Sequence, residues 1–282
     1  MMPASNFDDN AGFARLSLLV IAGCLLNGFA KPFLAWLTAP DIVDQNLGQH
    51  LFGIQPVTLF AALLGLWQLL KSPFALKPSR ADLWVAIIVM ALCLLPFART
   101  AWFALALFSG WACFRLKGNA QGSETGYVIL LAVSLRDPIS VAMLDLFSDG
   151  FLTFDAWASG SLLNLFGDTI TVQSNMFSNS DGHSVYVLTG CASFKDISFG
   201  LLIWFSVIRT SGSRPLSFWF SCGAALALCL MFINIVRLAL MGLSPAHYSF
   251  IHDGTGAQIF QGLLITIIFL WILIGNRHAK PA

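Results

Sequence analysis

The sequence predicts an all-α integral membrane protein of about eight transmembrane helices. An amphipathic helix and a small β-hairpin-like segment are expected on its outer face. Three observations predict this class. Hydrophobic residues make up 57% of the 282-residue chain and charged residues only 10%, against roughly 25% charged in a soluble domain. Mean hydropathy is +0.77. Long apolar runs recur along the whole chain, separated by short polar punctuation.

The first run covers about Phe13 to Leu37, after a polar start, and reads as a first span rather than a cleaved leader. An acidic loop with Asp41 and Asp44 follows, then a second span from about Ile54 to Leu70. The next loop, Lys71 to Arg80, is basic and proline-punctuated. Span 3 runs from about Asp82 to Leu95, and Pro96 to Thr100 makes a tight connection. Span 4 ends near Phe114, before Arg115 and Lys117. An apolar run from Tyr127 meets Arg136-Asp137-Pro138. Twelve residues are too few to cross, so this fifth span either starts earlier, near Gln121, and stops with Arg136 and Asp137 at the interface, the reading favoured here, or continues past Pro138 with a kink and an intramembrane Arg136–Asp137 pair. The first four spans (1–120) separate from a carboxy-terminal core (121–282).

Residues 139–166 mix Leu144, Phe147, Phe151, Phe154, Leu162 and Phe166 with Asp145, Asp149 and Asp155. That pattern suits a helix lying along a membrane surface; a packed helix under a loop is the alternative. Residues 168–189 alternate polar and β-branched side chains around Asn179-Ser-Asp-Gly182, a turn signal, and predict a hairpin outside the bilayer. Span 6 runs from about Cys191 to Ile208, span 7 from about Leu216 to Leu243, and span 8 ends near Ile274. The loop between spans 7 and 8 holds Pro245, His247 and His252.

Basic short loops favour the cytoplasm. With Lys71–Arg80, Arg115 and Lys117, Arg209 and Arg214, and the tail placed there, eight spans alternate correctly and both termini are cytoplasmic. Arg99 is the one clear exception. The start of span 6, the end of span 7 and the start of span 8 then share the outer face. Cys191, Arg237 and His252 lie in that layer.

A thiolate is a strong nucleophile. Cys191 is the one cysteine of six at a boundary between a polar and an apolar segment. At a helix start the dipole would favour its anion. Lys195, four residues on, would add to that effect unless Asp196 neutralises it. His252 can act as general acid and base. Arg237 can hold a carboxylate or stabilise an oxyanion, and Asn234, three residues earlier, can orient it. Each residue alone is more often structural; the shared face is what points to chemistry. His247 and His183 compete with His252, His183 being expected to face solvent. The spacing of His247, His252 and Asp253 matches no zinc motif, and no CxxC pair occurs.

In order, Pro138, Leu162-Leu163 with Gly167, Cys191-Ala192-Ser193, Asn234-Ile235-Val236-Arg237, and His252 to Gly256 with Phe260 resemble the exosortase/archaeosortase family over roughly residues 125–275. The resemblance implies a multi-pass membrane cysteine transpeptidase or protease with Cys191, Arg237 and His252 as its triad. Ser193, Lys195, Asp196 and Asn234 would position substrate or support the site. The implied substrate is an exported protein ending in a short motif, a transmembrane helix and a basic cluster. It would be cleaved on the periplasmic face of a bacterial inner membrane and passed to a cell-envelope acceptor. Where the family has Cys-Ser-Gly this chain has Cys-Ala-Ser, and Thr189 stands where many members carry an acid. The expected partners are that protein and membrane lipid, with no nucleic acid, no metal and no cofactor. Two other classes compete: a non-enzymatic component of extracellular polysaccharide export, in which Cys191 is dispensable, and a transporter, which the lack of internal repeats disfavours.

Overall fold

The computed structural model describes residues 12–38, 54–71, 76–95, 98–117, 123–212 and 214–277. The expected polar start, most of the acidic loop with Asp41 and Asp44, part of the Lys71–Arg80 loop, Pro96 and the end of the basic tail lie outside them. The protein is mostly helical, with four helices long and apolar enough to cross a membrane and one small sheet. These features make it a membrane protein. The count of about eight spans is not supported. The four are Gly12–Thr38, Glu124–Leu165, Leu216–Gly242 and Thr255–Arg277. The sequence count took every apolar run as a span. Several of those runs become helices that are short or carry charge.

Two compact units divide the chain, 1–138 and 139–282. In the first, α1 (Gly12–Thr38) packs with α3 (Arg80–Cys93) and α4 (Ala98–Leu116), while α2 (Pro56–Lys71) is a shorter apolar helix. Phe13, Val20, Ile21, Cys24, Val89, Leu105 and Phe108 form buried contacts there. One polar knot fixes the start of α3. Ser79 caps the helix, and the buried Asp82 returns a bond from the Ser79 N–H at 2.7 Å. Asp82 also accepts from Trp111 Nε1 at 2.8 Å and from Arg115 at 2.9 and 3.1 Å. At 14 residues, α3 rises only about 21 Å, short of the ~30 Å of bilayer hydrocarbon.

Helix α5 (Ser123–Leu165) decides between the two readings of the fifth span. It does not stop at Arg136-Asp137-Pro138: Pro138 lies inside it, and Arg136 pairs with Asp137. The backbone leaves helical geometry later, at Phe147 (φ −130°, ψ 16°). Two helical stretches thus meet at Phe147, and the one after it is packed. Leu152, Asp155, Ala156, Ser159 and Leu163 are buried on one face, while Phe147, Phe154 and Trp157 are exposed. Small residues on the inner face let other elements approach closely; a Cβ on Gly160 would meet Val172 Cγ2 at 2.7 Å.

The expected hairpin is a three-stranded antiparallel sheet: β1 (Thr171–Gln173), β2 (Met176–Ser178) and β3 (Ser184–Tyr186), in that order. The predicted turn at Asn179–Gly182 joins β2 to β3, with Gly182 at φ +84°. The unforeseen middle strand pairs with both neighbours, Phe177 lying opposite Val172 and Val185. Phe177 and Val185 are buried with Leu163, Leu238, Ala239, Met241 and Ile251 in one core. Full burial of an aromatic ring such as Phe177 contributes about 1.5–3 kcal/mol, so the sheet is seated on the helices by apolar contact.

After a 3₁₀ turn (Thr189–Cys191) come α6 (Ser193–Thr210), α7 (Leu216–Gly242), α8 (Pro245–His252) and α9 (Thr255–Arg277). Helices α6, α7 and α9 share a second core of Trp204, Ile208, Leu226, Leu230 and Ile268. The stretch expected as a loop around His247 is the short helix α8. Ser244 caps it and Pro245 occupies its first turn, a pairing that favours a helix start.

Candidate active site

Cys191 lies at the end of the 3₁₀ turn, two residues before α6 begins. It is not on the helix, so it does not share a helical face with Lys195. The Lys195 N–H instead bonds the Ala192 carbonyl at 3.1 Å. The thiol is half-buried and packs on the core that seats the sheet.

Two side chains grip the backbone around it. Asn234 Nδ2, buried in α7, donates to the Cys191 carbonyl at 2.9 Å and to Ser193 Oγ at 3.0 Å. Asp155, buried in α5, accepts the Ser193 N–H at 2.8 Å and the Ser193 hydroxyl proton at 2.7 Å. Ser159, one turn further along α5, bonds the Asp155 and Ile235 carbonyls at 2.7 and 3.3 Å. Thus α5, α7 and the start of α6 are joined at one level.

Arg237, one turn after Asn234, pairs with Asp196 of α6 at 3.9 Å. Asp155 also interacts electrostatically with Arg237. Asp196 therefore faces Arg237 as well as adjoining Lys195.

His252 ends α8. Its Nδ1 is 2.7 Å from Asp253 Oδ1, and its ring stacks on Tyr248 with centroids 5.0 Å apart and an interplanar angle of 10°. A carboxylate on Nδ1 fixes the tautomer and leaves Nε2 for proton transfer. Tyr248 packs on the same core as Cys191. Partial burial pushes the Tyr248 phenol up, and Cys191 and then Asp253 push it the same way.

The competing histidines are otherwise engaged. His247 Nδ1 bonds Ser244 Oγ at 2.8 Å within the α8 cap. His183 is not solvent-facing as expected: its Nε2 bonds the Met241 carbonyl at 3.0 Å, and its ring meets Tyr248 edge-on. His183 also lines a cleft of about 340 Å³ with Asn179, Asp181, Ser184 and Ser244. No group of three or more His, Cys, Asp or Glu positioned for a metal ion occurs among the described residues.

The structure therefore brings Cys191, Ser193 and Asn234 into direct contact, with Arg237 and Asp196 adjoining. Among the described residues, no hydrogen bond or ion pair links Cys191, Arg237 and His252 to one another. Sequence reasoning missed Asp155 and Tyr248 as site residues. Asp155 was one acid among three on an amphipathic pattern; its signal was the company of Ala156 and Ser159 on one helical face. No family model, curated protein or solved structure matches the chain.

Proposed function

We propose that this membrane protein is an exosortase-like cysteine transpeptidase or protease acting on the carboxy-terminal sorting signal of an exported protein. The observation that carries the reading is the bond from Asn234 to the Cys191 carbonyl. It ties two motifs 43 residues apart, each picked out in the sequence for its resemblance to that family.

In the proposed reaction Cys191 Sγ attacks the substrate carbonyl carbon while His252 takes the thiol proton. Arg237 stabilises the oxyanion that forms. As the tetrahedral intermediate collapses, the C–N bond breaks, the amine leaves with the proton from His252, and a thioester remains on Cys191. Water or a cell-envelope nucleophile then displaces the thiolate, giving cleavage or transfer. Asp253 holds His252 in the tautomer that this proton path needs. The reading keeps both termini cytoplasmic and the site on the outer face of the inner membrane.

The test is co-expression with a tagged protein from the same genome that ends in a short motif, an apolar helix and a basic cluster. Cys191→Ala is expected to abolish its processing while the variant remains membrane-inserted. Unchanged processing would refute the mechanism.

A further inference from the structure

We propose that Asp155 is the positioning residue of the cysteine turn, holding Cys191 in place through Ser193. The inference rests on the reading of Cys191 as nucleophile.

An α-helix begins with unpaired N–H groups, and its N-cap side chain ordinarily accepts from one of them. Helix α6 has Ala192 at that position, which makes no side-chain cap. The acceptor is supplied instead by Asp155, 38 residues away on α5. Both of its oxygens are committed to Ser193, and the residue is only 2% exposed. Ser193 Oγ accepts in turn from Asn234, whose other amide proton goes to the Cys191 carbonyl. The backbone is thus gripped on both sides of Ala192, itself 1% exposed. A local cap would fix α6 alone. A remote cap makes the position of Cys191 depend on α5 being seated against α7.

The experiment measures alkylation of the full-length chain by N-ethylmaleimide in native membranes, with each cysteine peptide quantified by mass spectrometry. Cys222 and Cys229 on α7 serve as internal references. Asp155→Asn and Asp155→Ala should raise the Cys191 alkylation rate by about fivefold or more, the factor that one net hydrogen bond is worth. Cys222 and Cys229 should stay at parental rates, which a general loosening of the fold would not allow. Ser193→Ala, which removes only the hydroxyl link, should raise the Cys191 rate as well and keeps the test available if Asp155→Ala does not fold. The double variant Asp155→Asn/Ser193→Ala should label no faster than the faster single variant, because both cut one chain of bonds. Parental Cys191 rates in Asp155→Asn and Ser193→Ala, or equal acceleration at Cys222 and Cys229, would overturn the proposal. The two readings fail separately. Faster Cys191 labelling together with intact processing by Cys191→Ala would uphold the positioning role and refute the nucleophile; the reverse pattern would do the opposite.

Discussion

Removing the Asn234 side chain tests how the site is held. Its amide donates to the Cys191 carbonyl at 2.9 Å and to Ser193 Oγ at 3.0 Å from a position 1% exposed to solvent. Each bond is worth about 1 kcal/mol net, and an acceptor left buried without a partner costs roughly 1–3 kcal/mol. The Cys191 carbonyl is only part-buried and can turn to water, so its loss falls at the lower end. Ser193 Oγ keeps its bond to Asp155 and loses only an incoming donor. The void left by truncation adds about 1 kcal/mol. Against these costs, Asn234 Oδ1 is itself buried with no partner among the described residues, and deleting it returns about 1 kcal/mol. Asn234→Ala is therefore destabilising by about 2–3 kcal/mol, a fall in melting temperature of roughly 3–5 °C for a chain of this size. Asn234→Asp should be worse, since it sets an acceptor against the Cys191 carbonyl and brings a second carboxylate to the hydroxyl that Asp155 already holds. Thermal melting of the detergent-solubilised chain measures both. An Asn234→Ala protein that melts within a degree of the parent, or an Asn234→Asp protein no worse than Asn234→Ala, would refute the bond pattern.

Three further outcomes follow from the same reasoning. Asp82→Ala removes the helix-cap bond and leaves Trp111 and the partly exposed Arg115 without their acceptor, a loss of about 2–3 kcal/mol. Asp82→Asn keeps one acceptor oxygen and should lose roughly half of that, as read by the two melting curves. The Cys24 and Cys93 sulfurs lie 3.2 Å apart on α1 and α3, so copper-phenanthroline should join them, giving a cross-linked peptide pair by mass spectrometry that Cys24→Ser abolishes. Gly242→Ala puts a methyl group into the Phe177 ring and against Leu163; overpacking of this kind costs about 1–3 kcal/mol. It should unseat the sheet, detected as faster proteolysis between residues 168 and 190.

The parts that were legible in the sequence are those whose physics is local. Apolar runs announced helices, and Asn179-Ser-Asp-Gly182 announced a turn because glycine supplies the positive φ it needs. Ser244-Pro245 is an equally local helix start, although the surrounding polarity gave the impression of a loop. The parts that were not legible depend on pairing across distance. Met176–Ser178 is too short to show a strand period, and it becomes a strand only because Thr171–Gln173 and Ser184–Tyr186 flank it. Pro138 reads as a stop because it removes one backbone donor, but α5 continues past that gap and breaks at Phe147 instead. Asp145, Asp149 and Asp155 look alike in sequence. Only the packing of α5 against the start of α6 separates the buried one from the others.

That difference bears on how the site comes to exist at all. The strand leading to Cys191 is pinned at its end by Asn175, which exchanges bonds with Val187 in both directions, at 2.8 and 3.0 Å. The sheet is in turn seated by Phe177 against Gly242 and Leu163. From β3 the chain has only a few residues in which to reach α6, so seating the sheet sets where the cysteine turn begins. Asp155 and Asn234 then set where it ends. Neither end is fixed by residues adjacent to Cys191 in sequence. A chain with α6 correctly formed but α5 or the sheet displaced would retain its helices and lose the geometry of the turn. Far-ultraviolet dichroism would barely register such a state, whereas alkylation of Cys191 would report it directly. Loss of the site should therefore precede loss of helix when the protein is heated. Simultaneous loss of both would mean that the turn is held by α6 alone.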